Sequence, residues 1–219
     1  MHDLEALCLD ADPLEALRDA AGAYAQRVVD GGANKGRTVA RLLDLFPAAR
    51  IYAYEPQPRL ARKLARRFAD DPRVAVRHAG LGSTPGPLRL HVLESATCSS
   101  FLAPSAIREK HADKPMGVAQ VVEVSVVRLD QDLDAAPAAM KLDLQGYELE
   151  ALKGASGVLE GVRAVLCEVS FREHYEGQPL AREVIAWMED RGFTLLGLYG
   201  PWRDGSGALV AAAALFRRA

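Results

Sequence analysis

Val28-Val29-Asp30-Gly31-Gly32-Ala33-Asn34-Lys35-Gly36 holds a short apolar run, an acid and a glycine-rich turn within nine residues. Arg27 to Asp30 is too short for a helix and reads as a buried strand. Gly31 to Gly36 reads as a tight loop, because glycines let the backbone turn sharply and approach a neighbour closely. Thr38 to Phe46 then puts Val39, Leu42, Leu43 and Phe46 on one helical face. Strand, glycine turn and helix in that order leave helix N–H groups and a partial positive charge at the strand's carboxyl end.

Outward from this unit the alternation continues. Leu14 to Tyr24 precedes it as a helix with Pro13 near its start. Arg50 to Tyr54 follows as a second strand closed by Glu55-Pro56, then Arg59 to Phe68 as a helix and Arg73 to His78 as a third strand. This β-α-β-α-β rhythm with short connections predicts a parallel sheet with helices on both faces and ligands at the carboxyl ends of its strands. Pro87 to Leu93 and Val121 to Val127 read as further strands. Between them, Glu94 to Gln120 has no period, and so long a loop is expected to shape a functional pocket. The pattern resumes with strands at Ala139 to Leu144 and Val162 to Val169, a helical turn or two at Gly146 to Leu152, and a helix at Leu180 to Arg191. Phe193 to Tyr199 and Leu209 to Phe216 form a closing pair around a turn-rich segment. The expected organisation is an N-terminal helical extension over residues 1–25 and one domain over 26–219.

Composition narrows the function classes. Lys+Arg number 27 and Asp+Glu 29, for a net charge of -2, which argues against a nucleic-acid coat or a polybasic membrane binder. Cys8, Cys98 and Cys167 stand far apart without a Cys-x-x-Cys, as in a reducing compartment. No basic region precedes an apolar one near Met1, and the longest apolar run, Ala208 to Phe216, is too short to cross a membrane. A cytoplasmic location is the expectation.

The glycine loop also narrows the ligand. Glu55 ends the next strand about 20 residues on, where an acid accepts hydrogen bonds from ribose hydroxyls. A dinucleotide site wants Gly-x-Gly-x-x-Gly, whereas here Gly31, Gly32 and Gly36 stand with Asn34 between them. Asp30 directly before the loop repels a phosphate and suits a positive amine or sulfonium. S-adenosylmethionine has both, together with a ribose and no phosphate.

At these residues the chain resembles a known family. Asp30-Gly31-Gly32-Ala33-Asn34-Lys35-Gly36, Tyr54-Glu55-Pro56, Lys141-Leu142-Asp143-Leu144-Gln145-Gly146-Tyr147-Glu148 and Glu168-Val169-Ser170-Phe171 resemble, in order, four motifs of the FkbM methyltransferases. The resemblance implies a class I methyltransferase fold, Rossmann-like, with seven strands, the last antiparallel. It implies S-adenosylmethionine as cofactor and O-methylation of a hydroxyl on a small molecule, sugar, glycan or polyketide. The implied cofactor residues are Asp30, Gly31, Gly32, Ala33, Asn34, Gly36, Glu55, Pro56 and Asp143. Ala213 departs from the family pattern, standing where similar proteins often carry an acid.

A hydroxyl acceptor gains from a general base within reach. His174 is the first candidate for its near-neutral unperturbed pKa, with Glu168 the second and Asp143 facing the transferred group. Lys141 shares a strand face with Asp143. Asp143 and Glu168 are the pair a divalent ion would take, but no third ligand is evident, the histidines lack metal-ligand spacing, and no metal is expected. Ser99 and Ser100 are candidate contacts to cofactor or acceptor. Three rivals stay open. An NAD-dependent oxidoreductase shares the turn and the ribose acid but lacks a Tyr-x-x-x-Lys pair. A nucleic-acid methyltransferase is suggested by the stripe Arg59, Arg62, Lys63, Arg66 and Arg67. A cofactor sensor without catalysis is the third. Oligomeric state is not legible.

Overall fold

The computed structural model describes residues 4–105 and 116–219. In chain order the elements are β1 (Cys8–Leu9), α1 (Pro13–Ala21), β2 (Arg27–Gly31), α2 (Arg37–Leu45), β3 (Arg50–Tyr54), α3 (Pro58–Arg67), β4 (Val74–Arg77), β5 (Gly80–Leu81), β6 (Gly86–Leu93), β7 (Val118–Val127), α4 (Leu129–Asp132), β8 (Ala139–Leu142), α5 (Glu148–Gly154), β9 (Ala164–Ser170), α6 (Ala181–Glu189), β10 (Phe193–Arg203) and β11 (Leu209–Arg218).

One sheet runs in the order β1-β10-β11-β9-β8-β2-β3-β4. From β9 to β4 the strands are parallel, and β11 is antiparallel to both β9 and β10. This is the expected class I methyltransferase order with one addition, the two-residue β1 parallel to the outer edge of β10. The Pro87–Leu93 and Val121–Val127 strands do not join it. As β6 and β7 they form a separate three-stranded sheet with β5.

The central strands are apolar almost throughout because helices cover both faces. One core layer joins Val29, Met140, Val165 and Phe216 to α5 and α6. The other joins Val28, Ile51, Ala164 and Leu215 to Leu17 of α1 and to Val39, Leu42 and Phe46 of the α2 layer. Helix α1 starts where Asp12 accepts hydrogen bonds from the N–H groups of Leu14 and Glu15, with Pro13 in the first turn. It packs against β9 and β11, so residues N-terminal to the glycine loop cover part of the sheet. Helix α3 buries Leu60, Ala61 and Leu64 and turns its basic stripe to solvent.

The chain order reverses between β2 and β8, and ligand crevices form at such a switch, outside the carboxyl ends of the strands. The aperiodic stretch after β6 folds back onto this end. A short 3-10 turn at Ala96–Cys98 leads to a bridge between His91 and Ser100. Residues 106–115 of that stretch, and the first three residues of the chain, lie outside the described residues. Among the described residues, no helix is long and apolar enough to cross a membrane.

Candidate active site

Two turns face each other at the switch, residues 31–36 after β2 and residues 143–147 after β8. Gly32 has φ +75°, and a Cβ there would stand 2.0 Å from the carbonyl oxygen of Asp143. The glycine thus lets the two turns touch. Gly36, also at φ +75°, starts α2 and leaves room for Leu64 and Phe68 of the α3 layer. Asn34 adopts a left-handed φ of 51°, which its short amide side chain tolerates.

Glu55 fastens this loop. Its buried carboxylate accepts the N–H of Asn34 at 2.8 Å on one oxygen and the N–H of Gln57 at 2.8 Å on the other. Burial pushes its pKa up to about 7, although both backbone hydrogen bonds pull the other way.

A first cleft of about 270 Å³ opens over the loop. Of the residues expected at the cofactor, Gly32, Ala33, Asn34, Glu55, Pro56 and Asp143 line it. Asp30, Gly31 and Gly36 do not. Leu81 and Leu90 of the small sheet add an apolar wall with Phe101, and Ser99 and Ser100 also line the cleft. Gln57 donates its side-chain amide to Ser99 Oγ at 3.4 Å.

Asp30 is the main correction among the expected cofactor contacts. It is 0 % exposed and faces the layer covered by α1 and α2, because alternation along β2 points Val29 to the opposite face. Lys141, its register partner on β8, reaches it with Nζ at 3.2 Å and stands 3.9 Å from Asp143. Nζ also donates to the Gly31 carbonyl at 3.4 Å. Burial pushes the Asp30 carboxyl up against the pull of Lys141. Burial also opposes the Lys141 charge, but Asp30 and Asp143 outweigh it and hold the ammonium above its ordinary value. Asp30 therefore acts on the cleft through Lys141.

The turn after β8 builds a polar cluster. Gln145 has a left-handed φ of 55°, followed by Gly146 at 95°. Gln145 Nε2 donates to Asp143 Oδ1 at 2.6 Å and to Glu168 Oε2 at 3.1 Å, so one amide separates two like charges. The Tyr175 hydroxyl lies 2.8 Å from the Cys98 carbonyl and 3.1 Å from Gln145 Oε1, and these two acceptors share its one proton. Ser100 Oγ donates to the Gln145 carbonyl at 2.8 Å. Carboxylate oxygens of Asp143, Glu148 and Glu168 lie within 4.8 Å of one another. Glu148 already accepts the N–H groups of Leu144 at 2.6 Å and Gly146 at 3.0 Å, which holds the turn. Burial, and then the nearby Glu168, raise its pKa to about 8.

His174 is not brought to this cluster's open side. It is 1 % exposed and lines neither the first cleft nor the second cavity described below. Its N–H donates to Gln178 Oε1 at 3.0 Å and its carbonyl accepts from Ser105 at 3.0 Å. Closeness in sequence to the end of β9 misled the assignment, since the chain turns inward there. The sequence reading gives no role to Gln145, which stands inside one of the motifs, or to Tyr175, which follows β9. Their signal was a large polar residue at a glycine turn and a tyrosine after a strand end.

A second cavity of about 350 Å³ lies on the other side of Lys141. Thr38, Lys141 and Asp143 line both spaces. Glu168 lines only the second, and Ala213 is its register partner on β11. The side chain missing at Ala213 would have stood beside Glu168, so the alanine leaves room there.

The chain can now be set beside known proteins. The Methyltransferase FkbM domain matches residues 30–195. The chain belongs to this family. Methyltransferase sdnD of Sordaria araneosa is 29% identical over 213 residues, covering 84% of this chain and 80% of that protein. The 2-O-methyltransferase NoeI of Sinorhizobium fredii is 24% identical over 167 residues, covering 72% of this chain and 69% of that protein. The FkbM methyltransferase of Methylobacillus flagellatus KT superposes with a TM-score of 0.57 at 19% identity, covering 88% of this chain but 43% of that one. This FkbM chain is a methyltransferase, and its methyl donor is S-adenosylmethionine.

The first cleft suits that donor in chemistry. It offers a carboxylate for ribose hydroxyls in Glu55, a second carboxylate for a cation in Asp143, and an apolar wall for a purine at Leu81, Leu90 and Phe101.

Proposed function

We propose that this FkbM methyltransferase methylates a hydroxyl oxygen of a small molecule, with the donor in the first cleft and the acceptor in the second cavity. The observation that carries the reading is that the two spaces share Lys141 and Asp143. Displacement at a methyl carbon needs donor and acceptor on opposite sides of one point, held collinear. When bound, S-adenosylmethionine supplies the electrophilic methyl.

The chain's own residues do the rest. Glu55 and the Asn34 turn hold the ribose end, and Gly32, Ala33 and Pro56 shape the floor. Asp30 fixes Lys141, and Lys141 fixes Asp143. As the new C–O bond forms, the acceptor O–H becomes acidic. Asp143 or Glu168 takes the proton, both held by Gln145. Asp143 suits this role because its side chain remains 45% exposed at the junction. The relative named as a 2-O-methyltransferase supports oxygen as the target.

The test incubates the protein with donor labelled as a deuterated methyl and a panel of hydroxylated small molecules, read by mass spectrometry with fragmentation. A deuterated methoxy product is expected. A label found on nitrogen, on carbon or on nucleic acid overturns the proposal.

A further inference from the structure

The second cavity has an uneven lining, and the unevenness tracks the family match. Lys141, Asp143 and Glu168, its charged residues, fall within residues 30–195. Leu14, Tyr199, Trp202, Ala211 and Ala213 fall outside them. The charged end falls within the matched residues, together with Thr38, Leu142 and Leu166, and most of the uncharged wall falls outside them.

Most of that wall is apolar. Ala211 and Ala213 are two apart on β11, so their methyl groups share one sheet face. The first turn of α1, with Pro13 and Leu14, borders the same space, and α1 packs on β9 and β11. Trp202 and Tyr199 come from β10, whose hairpin bulges between Tyr199 and Trp202. Arg172 pairs with Asp204 at 2.6 Å and ties this hairpin to the segment after β9.

We propose that this cavity selects a planar, largely apolar ring carrying one hydroxyl, the ring lying along the Ala211–Ala213 face beside Trp202 and the hydroxyl directed to Asp143 and Glu168. The inference rests on the second cavity being the acceptor site. The argument is one of polar satisfaction. A sugar carries hydroxyls around its whole ring, and burying them against alanine and leucine leaves donors without partners. A ring with one hydroxyl meets polar groups only where the cavity has them. Ala213 is the gate, since any longer side chain there fills the space next to Glu168. Transfer balances: the acceptor O–H gives its proton to a carboxylate, oxygen bonds the methyl carbon, and the sulfur leaves with the carbon–sulfur electron pair.

The probes are 1-naphthol and methyl α-fucoside, each titrated by calorimetry into protein saturated with S-adenosylhomocysteine. The variants are Ala213→Leu and Trp202→Ala. 1-Naphthol is expected to bind the wild type and to weaken by tenfold or more in both variants, with S-adenosylhomocysteine affinity unchanged. Unchanged cofactor affinity also shows that the variants fold. The inference is overturned if 1-naphthol does not bind, if neither variant weakens it, or if only the fucoside binds. Failure of the donor reading shows separately, as absence of S-adenosylhomocysteine binding.

Discussion

The two spaces that meet at Lys141 and Asp143 are built by opposite means. The loop side of the first cleft is made by local chain: a strand end, the glycine turn after it, and Glu55 one strand over, bound through backbone N–H groups. The second cavity is assembled from residues of α1, α2, β8, β9, β10 and β11, most of them far apart in sequence. Backbone-built sites constrain sequence tightly, because a glycine or a cap has few substitutes. Side-chain-built sites change with single substitutions, as Ala213 illustrates.

The seam between them is the place to break this comparison hardest. Lys141→Met leaves Asp30 buried without its counter-charge, and removing one partner of a buried pair costs roughly 3–5 kcal/mol. Urea unfolding should show a loss of that order. A loss near zero means that Lys141 does not hold Asp30. Next, Glu55→Ala removes the acceptor of two backbone donors, and leaving such groups unsatisfied costs about 1–3 kcal/mol. S-adenosylhomocysteine affinity should fall by tenfold or more in calorimetry, while the second cavity keeps its ligand. Equal loss at both sites erases the distinction between them.

Gln145→Leu sharpens the seam instead. It frees Asp143 and Glu168 from their shared amide, and turnover should fall about tenfold, the worth of about one such hydrogen bond. Cofactor affinity should be kept. A fall in affinity without a fall in rate assigns Gln145 to the donor side.

The smallest effect is a pH dependence confined to the first cleft. Glu55 has its pKa raised to about 7 by burial, so it ionises only as pH rises through that value. The ionised form accepts more hydrogen bonds from ribose. Affinity for S-adenosylhomocysteine should therefore rise between about pH 6 and pH 8, by up to about tenfold. The unliganded protein moves the other way. The folded state holds a proton that the unfolded state has released, so this group's contribution to stability falls as pH rises from its ordinary carboxyl range to about 7. A flat affinity profile contradicts the role of Glu55.

Much of the first cleft was legible because its signals are local. An apolar run, a glycine cluster and an acid at the next strand end all sit within about 30 residues, the length of one βαβ unit. The parallel sheet with helices on both faces followed from the alternation of elements. The direction of Asp30 was not legible, since the face it points to depends on which helices cover it. His174 was chosen for its chemistry and its closeness to Glu168 in sequence, but packing around Gln178 turns it inward. The aperiodic Glu94 to Gln120 stretch was expected to shape a functional pocket, and among its described residues Ala96, Thr97, Ser99, Ser100 and Phe101 line the first cleft. The second cavity was not legible as a space: Asp143, Glu168 and Ala213 stood out singly, but the β10–β11 hairpin and α1 bring them together with Leu14 and Trp202.

The most direct measurement is a crystal structure of the protein with S-adenosylhomocysteine. The account predicts the ribose at Glu55, the purine against Leu81 and Phe101, and the sulfur at the Asp143 junction facing the second cavity. A ligand seated in the second cavity, or a sulfur turned away from Asp143, contradicts it.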